Sequence, residues 1–518
     1  MAAGTEKQNL SAWWIILSAV VLYGLAFTIR ISLEREPIDD AYITFRQAER
    51  LWEGKGWAYN DGEKVIATTT PLWTLILAPL SPWLPGVARY LGVFLDSFVP
   101  GLILAVARCA GLEFLPAVFA ALLYVYSPDA ALCAPSGMEL PLFHLLFVLA
   151  VLFQLIGWRF FQAASMGLLC LVRPEGILAA GLITLTEWRK PAAWLRVGCA
   201  VMPYAGWTAF TSLYYSSGLL PNSLQGKWDT YADGILWDPG RFLDLVDYWG
   251  SLFFKSLNRD TLYNAPRAVI FFGLVVYAAW LLFRRRNPVW VFPAYAILYT
   301  IAAQFVVVPL FSWYYCHPSA GIGIGVVAGS FFVSKGVSRI SLQLSRLGAI
   351  GAVGLWIFLA YGGLVAIQSW PENKVAWVGR VLIDHEREKG HRICAQAILN
   401  DLRIHPIEGR HPKVLVHDLG LLGYELREAY MVDVSAIATP HVTPWHKKHP
   451  DKLGFFRVSK GLIEEEKPDY FVTMAEHGPV AEEDWAWVDQ YYECIGYYIG
   501  TEWAVPFVAA YKKVRNDF

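Results

Sequence analysis

The sequence Pro37-Ile38-Asp39-Asp40-Ala41-Tyr42-Ile43-Thr44-Phe45-Arg46 lies just after the first strongly apolar segment, residues 12–31. Two adjacent carboxylates are costly to hold ionised together at a membrane surface. Asp39 or Asp40 can cap a helix that we expect to continue to about Glu53. A capping carboxylate is also fixed in space, so the same residue can serve as a catalytic base. The residues alone leave both interpretations open.

The expected helix separates its apolar and charged residues onto two faces, which favours a position in the membrane interface. The apolar face contains Ile43, Ala48 and Leu51, and the charged face contains Arg46, Glu49 and Arg50. A carboxylate at its start would then lie at the level of the lipid phosphates. Such a base can take the proton of an acceptor hydroxyl during glycosyl transfer, while nearby cations stabilise the departing phosphate.

The composition is that of an integral membrane protein. Of the 518 residues, 56% are hydrophobic and only 17% are charged, against about 25% charged residues in soluble proteins. The net charge of -1 provides no basic field for a nucleic acid. The seven cysteines show no CxxC spacing, so the sequence signals neither a zinc site nor a dense disulfide framework.

Apolar segments long enough to cross a bilayer recur along the first 370 residues, since a spanning helix needs roughly 20 apolar residues. The run 160–187 is interrupted at Arg173-Pro174-Glu175-Gly176 and predicts two short spans joined by a polar turn. The other predicted spans are 12–31, 87–108, 113–127, 139–158, 194–215, 264–283, 289–310, 317–334 and 347–368. The sequence therefore predicts a polytopic, mainly α-helical protein with about eleven transmembrane helices.

The short loops differ in their content of Lys and Arg, which sets the orientation. Arg284, Arg285 and Arg286 lie on the predicted cytoplasmic side, whereas the loops 127–136 and 312–319 contain no Lys or Arg. We therefore expect a cytoplasmic N-terminus and an extracytoplasmic C-terminus. We also expect the first span to stay as an anchor, because no small-residue cleavage site follows it.

Three polar regions fall on the predicted outer face. Two are the long loops 34–70 and 216–263 within a membrane domain of residues 1–370. The third, residues 371–518, has the composition of a soluble domain. A helical stretch at about 374–402 and β-rich runs at 413–417, 429–434, 470–474 and 507–511 predict a small α/β fold.

Several short strings, in this order along the chain, resemble bacterial GT-C membrane glycosyltransferases, and most of all the branch that includes the mycobacterial terminal arabinofuranosyltransferases. The outer loops carry Asp39 to Arg46, Gly54 to Glu63, Thr69 to Trp73, Ser136 to Phe143, Arg173 to Gly176, and Leu219 to Ser223 with Lys227. In the tail, Val416 to Tyr424 and Val432-Asp433 are similar to that branch's outer domain. The chain departs from the pattern at Ser223, where Thr is more usual, and in its shorter tail.

The resemblance implies a GT-C fold, a polyprenyl-phosphate-linked sugar as donor and inversion at the anomeric carbon. It also implies that an aspartate of the first outer loop is the base. We favour Asp39, with Asp40 as its neighbour or as a ligand of the acceptor. The enzyme would be in the bacterial inner membrane and would glycosylate a cell-envelope acceptor on the outer face. No cofactor is implied; a divalent metal is compatible with the carboxylates, although no spacing signals one.

The turn that carries Arg173 places a cation at the outer end of a membrane hairpin, where a cation needs a partner. An ion pair with Glu175 or Glu139 is one interpretation. Contact with the donor phosphate or sugar is the other, because the planar guanidinium binds phosphate with two hydrogen bonds. Glu139 itself can interact with a helix dipole or accept a hydrogen bond from a sugar hydroxyl.

Four further residues are candidates for donor binding. Lys227 follows the helix-breaking Pro221-Asn222 and is either a solvated lysine or, with Asn222, part of a phosphate site as the resemblance implies. Arg46 can extend to lipid headgroups or contact the donor. His317 lies in an aromatic stretch on the outer face and is either a hydrogen-bonded structural residue or a ligand of the donor phosphate or sugar.

Two other classes of function compete with the enzyme. A transporter or flippase of lipid-linked sugars would have similar spans, but transporters commonly show paired repeats and charges near mid-depth, and the sequence contains no evident repeat. A structural protein that recruits partners through its tail would leave the loop carboxylates unexplained. Within the enzyme class, the acceptor can be a glycan, a glycolipid or a protein.

Overall fold

The computed structural model of the chain describes residues 2–33, 35–215, 249, 261–305, 314–337, 370–448, 458–474, 485–499 and 508–515. Its N-terminal part consists of helices. These are α1 Ala2–Ile31, α2 Asp39–Trp52, α3 Pro71–Leu77, α4 Gly86–Cys109, α5 Phe114–Val125, α6 Pro128–Cys133, α7 Leu140–Ile156, α8 Arg159–Val172, α9 Gly176–Leu185, α10 Pro191–Tyr214, α11 Thr261–Arg284, α12 Val291–Phe305 and α13 Ser319–Val337.

Apart from α2, α3 and α6, these helices fall at predicted spans, and the break between α8 and α9 lies at Arg173-Pro174-Glu175 as predicted. Among the described residues, two helices are long and apolar enough to cross a bilayer alone, Trp13–Ile31 within α1 and all of α4. The bent pair formed by Phe114–Val125 and Asp129–Ser136, at 51°, adds a third candidate. The predicted span 347–368 lies outside the described residues, so the number of eleven spans stays a prediction.

Most of the helices share one large apolar core, with α4 against α1 and α7, and α7 against α8. Leu104, Phe143, Phe147 and Tyr295 are among its fully buried side chains. The core continues outward to Leu421 and Tyr424 of the C-terminal region. The membrane part and the C-terminal part therefore pack directly against each other.

The C-terminal part is an α/β domain, as predicted. Its helices are α14 Trp370–Ile404, α15 Gly420–Glu425, α16 Thr443–Lys448, α17 Lys460–Glu466 and α18 Trp485–Tyr491, and its strands are β1 Lys413–Val416, β2 Tyr430–Asp433, β3 Tyr470–Met474, β4 Tyr492–Tyr498 and β5 Val508–Lys513. The five strands are ordered β2-β1-β3-β5-β4. Strand β1 is parallel to β2 and β3, whereas β5 is antiparallel to β3 and β4. Strand β4, which pairs at the edge, was not predicted.

The first outer loop is built into the junction between the two parts. Ile43, Tyr59 and Ala67 of this loop share an apolar cluster with residues of β1 and α15. Nearly every side chain of α2 from Asp39 to Arg50 is buried. Its charged side chains contact protein rather than lipid headgroups: Arg46 and Glu49 contact the C-terminal domain, and Arg50 contacts the first outer loop itself. The position of this helix in the membrane interface stays a prediction. The second long loop, 216–263, lies almost wholly outside the described residues.

Two glycines permit this close packing. Gly137 has a φ of 77°, and a Cβ there would press on Pro37, which precedes α2, and on Phe45 within α2. Gly420 begins α15, and a Cβ there would collide with the backbone carbonyl of Asp39. Both contacts bring backbone segments that are distant in sequence against the aspartate pair.

Candidate active site

Asp39 is buried at the junction, where it binds the C-terminal domain. Its Oδ2 accepts a hydrogen bond from the Gly420 amide at 3.0 Å, and its Oδ1 accepts one from the Leu421 amide at 2.8 Å. Asp39 thus caps α15 from a position 382 residues earlier in the chain. The expected capping role exists, but the helix that Asp39 caps is in the other domain. No side-chain cap hydrogen bond is found at the start of its own helix.

A chain of titratable groups continues from Asp39 into the C-terminal domain. The Nδ1 atom of His391 lies 4.0 Å from Oδ1 of Asp39, and its Nε2 lies 3.6 Å from Oδ2 of Asp418. Asp418 in turn contacts His417, with Nδ1 and Oδ1 3.2 Å apart. Neither His391 nor Asp418 was predicted as a site residue. The available signal was the position of His417-Asp418 directly after β1, because the carboxyl ends of parallel strands form ligand sites in α/β sheets.

Burial and neighbouring charge change the ionisation of this group. Burial, and then the nearby carboxylate of Asp418, raise the pKa of Asp39 to about 7. Burial lowers the pKa of His391 to about 4, so its imidazole is neutral near pH 7. Burial alone would raise the pKa of Asp418, but His417 beside it lowers that pKa well below the usual range. An aspartate that titrates near neutrality is suited to general-base catalysis.

Asp40 differs from Asp39 in its surroundings. It is half-buried, while Asp39 is buried. Successive residues of a helix point in different directions, so the two carboxylates have different surroundings. The pair therefore offers one carboxylate tied to the C-terminal domain and one nearer to solvent.

Arg46, a candidate for donor binding, forms its hydrogen bonds within the junction between the helical part and the C-terminal domain. Its Nε donates to the Tyr59 carbonyl at 3.1 Å, and its Nη2 donates to the Ala429 carbonyl at 3.1 Å. Its Nη1 donates to the Gly423 carbonyl. The guanidinium also lies over the Tyr59 ring, 4.5 Å from its centroid. These contacts favour a role in holding the C-terminal domain over contact with lipid headgroups or donor.

Arg46→Met is expected to loosen the C-terminal domain. The change keeps the apolar stem but leaves several buried carbonyls without a donor, which we expect to lower the free energy of unfolding by at least about 3 kcal/mol. Limited proteolysis should cut the C-terminal domain of the variant faster than that of the wild type. Arg403→Met is the control, since Arg403 is exposed and donates only to Asn400 at 3.3 Å among the contacts found for it. Equal cleavage of both variants would contradict the docking role of Arg46.

The second polar cluster surrounds Arg173 at the α8–α9 turn. Arg173 pairs with Glu139 at 2.5 Å, and it binds Glu175 with two hydrogen bonds of 3.2 and 3.0 Å. The ion pair that sequence analysis left as one interpretation therefore involves both glutamates. With one cation and two carboxylates, the cluster carries a formal charge of about -1 when all three are ionised. This charge suits sugar hydroxyls better than a phosphate.

His317 lies beside this cluster and is almost completely buried. Its ring is 4.8 Å from that of Phe143 and 4.9 Å from that of Tyr299, centroid to centroid. Within the described part of the chain, neither ring nitrogen has a hydrogen-bond partner. A buried polar atom without a partner is costly, so the hydrogen-bonded structural role that sequence analysis weighed for His317 is not found among these residues.

A short segment joins the two clusters. The Ser136 carbonyl accepts a hydrogen bond from the Ile38 amide at 3.0 Å, and the Gly137 carbonyl accepts one from the Trp73 indole at 3.0 Å. The aspartate pair follows Ile38, and Glu139 follows two residues after Gly137. The backbone therefore places the Asp39-Asp40 pair and the Arg173 cluster on the same side of the helical part.

A third cluster, which sequence analysis missed, is buried among the helices. Arg30 pairs with Asp96, whose other oxygen accepts a hydrogen bond from Tyr124 at 2.6 Å. The Tyr124 hydroxyl is also 2.9 Å from Nδ1 of His144. The sequence feature that indicates this cluster is Asp96, a single carboxylate inside the apolar run 87–108. Because Arg30 and Asp96 neutralise each other, this cluster is well suited to a structural role.

Two candidates for donor binding belong to the second long loop. Asn222 and Lys227 lie outside the described residues. Within the described residues, no group of three or more His, Cys, Asp or Glu side chains is arranged to hold a metal ion.

Solved structures with the same architecture are membrane glycosyltransferases. ArnT from Cupriavidus metallidurans bound to undecaprenyl phosphate matches 96% of this chain and 98% of its own, with a TM-score of 0.56 and 13% identity. The archaeal oligosaccharyltransferase AglB from Archaeoglobus fulgidus, in complex with an inhibitory peptide and a dolichol-phosphate, matches 98% of this chain and 75% of its own, with a TM-score of 0.52 and 11% identity. The chain thus has the fold of the GT-C membrane glycosyltransferases.

A relative by sequence is more specific. The terminal β-(1→2)-arabinofuranosyltransferase of Mycobacterium tuberculosis is 28% identical in an alignment of 263 residues that covers 42% of this chain and 40% of the relative. The chain therefore aligns with less than half of that protein's length. No protein-family profile matches the chain. The resemblance inferred from the outer-loop strings is confirmed.

Proposed function

We propose that the chain is a membrane glycosyltransferase that moves a sugar from a polyprenyl-phosphate donor to a hydroxyl of a cell-envelope acceptor. The observation that carries the proposal is the Asp39-Asp40 pair, which the fold holds between the helical part and the C-terminal domain. The aligned relative supports a pentofuranose as the sugar. The lipid phosphates bound to ArnT and AglB support a polyprenyl-phosphate donor.

The proposed reaction inverts the anomeric carbon. Asp39 takes the proton of the acceptor hydroxyl, whose oxygen bonds to the anomeric carbon while the bond to the lipid phosphate breaks. A carboxylate has about four lone-pair positions, so the two amides that Asp39 binds leave room for an acceptor hydroxyl. Asp40, nearer to solvent, is placed to orient that acceptor. The pKa of Asp39, near neutrality, matches the role of base.

The donor is proposed to bind in two parts. The Arg173 cluster, with its excess of carboxylate, suits the sugar hydroxyls, and His317 beside it offers two ring nitrogens for the same purpose. Lys227 and Asn222 remain the proposed ligands of the lipid phosphate, on the strength of the resemblance. The Lys and Arg content of the short loops supports an outer-face site in the bacterial inner membrane, with the C-terminal domain extracytoplasmic.

The purified chain is expected to transfer arabinofuranose from undecaprenyl phosphate to a synthetic arabinofuranoside. Product formation and its anomeric configuration can be measured by mass spectrometry and NMR. The inactive control is the Asp39→Asn, Asp40→Asn double variant. In sealed vesicles, a flippase would move the lipid-linked sugar between leaflets and form no product. If both the wild type and the double variant move the lipid-linked sugar between leaflets and neither forms product, the proposal is contradicted.

A further inference from the structure

The C-terminal domain presents two of its side chains to Asp39. Asp418 follows the carboxyl end of β1, and His391 belongs to α14. His391 lies between the two carboxylates, with Nδ1 4.0 Å from Asp39 and Nε2 3.6 Å from Asp418. His391 is 1% exposed. The imidazole is therefore enclosed between a residue of the first outer loop and a residue that follows β1.

The facing atoms of this group are close but not hydrogen-bonded. Among the described residues, Nδ1 of His391 and Oδ2 of Asp418 have no hydrogen-bond partner. Hydrogen bonds in catalytic sites are often long without substrate and shorten when the substrate binds. A shift of less than about 1 Å at each contact would bring both pairs within hydrogen-bond distance.

We propose that His391, oriented by Asp418, is a positioning residue that accepts a hydrogen bond from the protonated form of Asp39. The inference rests on the proposed function, in which Asp39 removes the acceptor's proton. That proton leaves the acceptor oxygen and becomes the O–H of Asp39. The neutral imidazole donates its Nε2 hydrogen to Asp418 and receives the new O–H at Nδ1. The C-terminal domain thereby completes the catalytic site.

The tautomer of His391 determines which form of Asp39 it stabilises. A carboxylate at Nε2 favours the form with hydrogen on Nε2, which leaves a lone pair on Nδ1. That lone pair can stabilise only the protonated form of Asp39. The charge of Asp418 acts in the same direction, because a neighbouring negative charge favours protonation. The charged and titratable groups that influence this site are Asp40 on α2, Arg387 and His391 on α14, and His417 and Asp418 after β1.

Asp418→Asn tests the role through the pH dependence of transfer. The asparagine removes the charge, and its amide can donate to Nε2, which moves the hydrogen to Nδ1. An Nδ1 hydrogen favours the ionised form of Asp39, so both effects lower the pKa of the base. Transfer by the wild type should rise with pH through about 7. In the variant, the midpoint of this rise should move down by on the order of one pH unit.

Two further variants test whether the change in midpoint is specific to the charge of Asp418. Asp418→Glu keeps the charge and should retain the wild-type midpoint more closely than Asp418→Asn. Glu464→Gln removes an exposed carboxylate of the same domain, which contacts Lys460 at 3.9 Å, and should leave the profile unchanged. The assay uses the full chain, undecaprenyl-phosphate-linked arabinofuranose and a synthetic arabinofuranoside. The KM for the donor should stay within about twofold of the wild-type value, because neither Asp418 nor His391 is placed against the donor.

The outcomes separate the two proposals. If the wild type transfers the sugar, Asp39→Asn is inactive and Asp418→Asn keeps the wild-type midpoint, the proposed function stands and the positioning role is overturned. If Asp39→Asn transfers at the wild-type rate, Asp39 is not the base, and the positioning role falls with it. If the midpoint moves to lower pH in Asp418→Asn only, the positioning role is supported.

Discussion

Asp39→Asn is expected to reduce sugar transfer by about 10²- to 10⁴-fold, the usual contribution of a general base. The amide has the size of the carboxylate but cannot take up a proton at the pH of the assay. Initial rates of the purified variant, at saturating donor and acceptor, measure the effect. Asp40→Asn is the comparison and is expected to be impaired less. A nearly normal rate for Asp39→Asn beside an inactive Asp40→Asn would assign the base to Asp40.

The structure adds a requirement to this experiment, because Asp39 also binds the C-terminal domain. The amide oxygen of asparagine can still accept one backbone N–H, but its nitrogen cannot accept the other. The lost bond is expected to cost about 1 kcal/mol of stability, which thermal unfolding measures. Asn60→Ala is the matched control: Asn60 exchanges two hydrogen bonds with the backbone of Met431, at 2.9 and 3.0 Å, without touching Asp39. It should weaken docking and keep most of the activity.

The elements of the fold follow from local patterns, and sequence analysis found most of them. Strand β3 begins at Tyr470 and ends at Met474 as predicted, and α2 ends one residue before the expected Glu53. Strand β4 was missed because its burial does not alternate and a bulge between Cys494 and Gly496 interrupts its pairing with β5. Period-two alternation is the signal that such a strand lacks.

The candidate site was predicted only in part. The motifs around Asp39 and Asp418 are both visible in the sequence, but their contact joins residues almost 400 positions apart. The charged face of α2 suggested lipid headgroups as partners of Arg46, whereas backbone carbonyls of the C-terminal domain take that place. A sequence shows that a charge needs a partner; which surface supplies it depends on how the domains pack.

Arg173→Met is expected to have the largest effect on stability. Arg173 is buried beside Glu139, and its side chain is only 8% exposed. Removing the cation leaves the buried Glu139 and the half-buried Glu175 without their counter-charge, and breaking a buried pair in this way typically costs about 3–5 kcal/mol. The loss should appear as a lower unfolding temperature in detergent.

Arg159→Met is the control, because Arg159 pairs with a glutamate in the same geometry but is more exposed to solvent. Arg159 binds Glu187 through two contacts of 2.9 Å, the same bidentate arrangement, but its side chain is 39% exposed. A solvent-exposed pair of this kind contributes about 0–1 kcal/mol. A cost for Arg173→Met no larger than that of Arg159→Met would contradict the importance of burial.

A compensated variant then separates the structural role of the Arg173 cluster from sugar binding. Combining Arg173→Met with Glu139→Gln and Glu175→Gln removes the cation and both charges together, so no buried carboxylate is left without a counter-charge. Much of the stability lost in Arg173→Met should return, because replacing a complete buried ion cluster is often close to neutral. Transfer should not return if the two carboxylates bind sugar hydroxyls, since a charged acceptor makes the stronger hydrogen bond. We expect the triple variant to fold, as monitored by thermal unfolding, and to show a raised KM for the lipid-linked sugar. A triple variant with both wild-type stability and wild-type transfer would assign the cluster to structure alone.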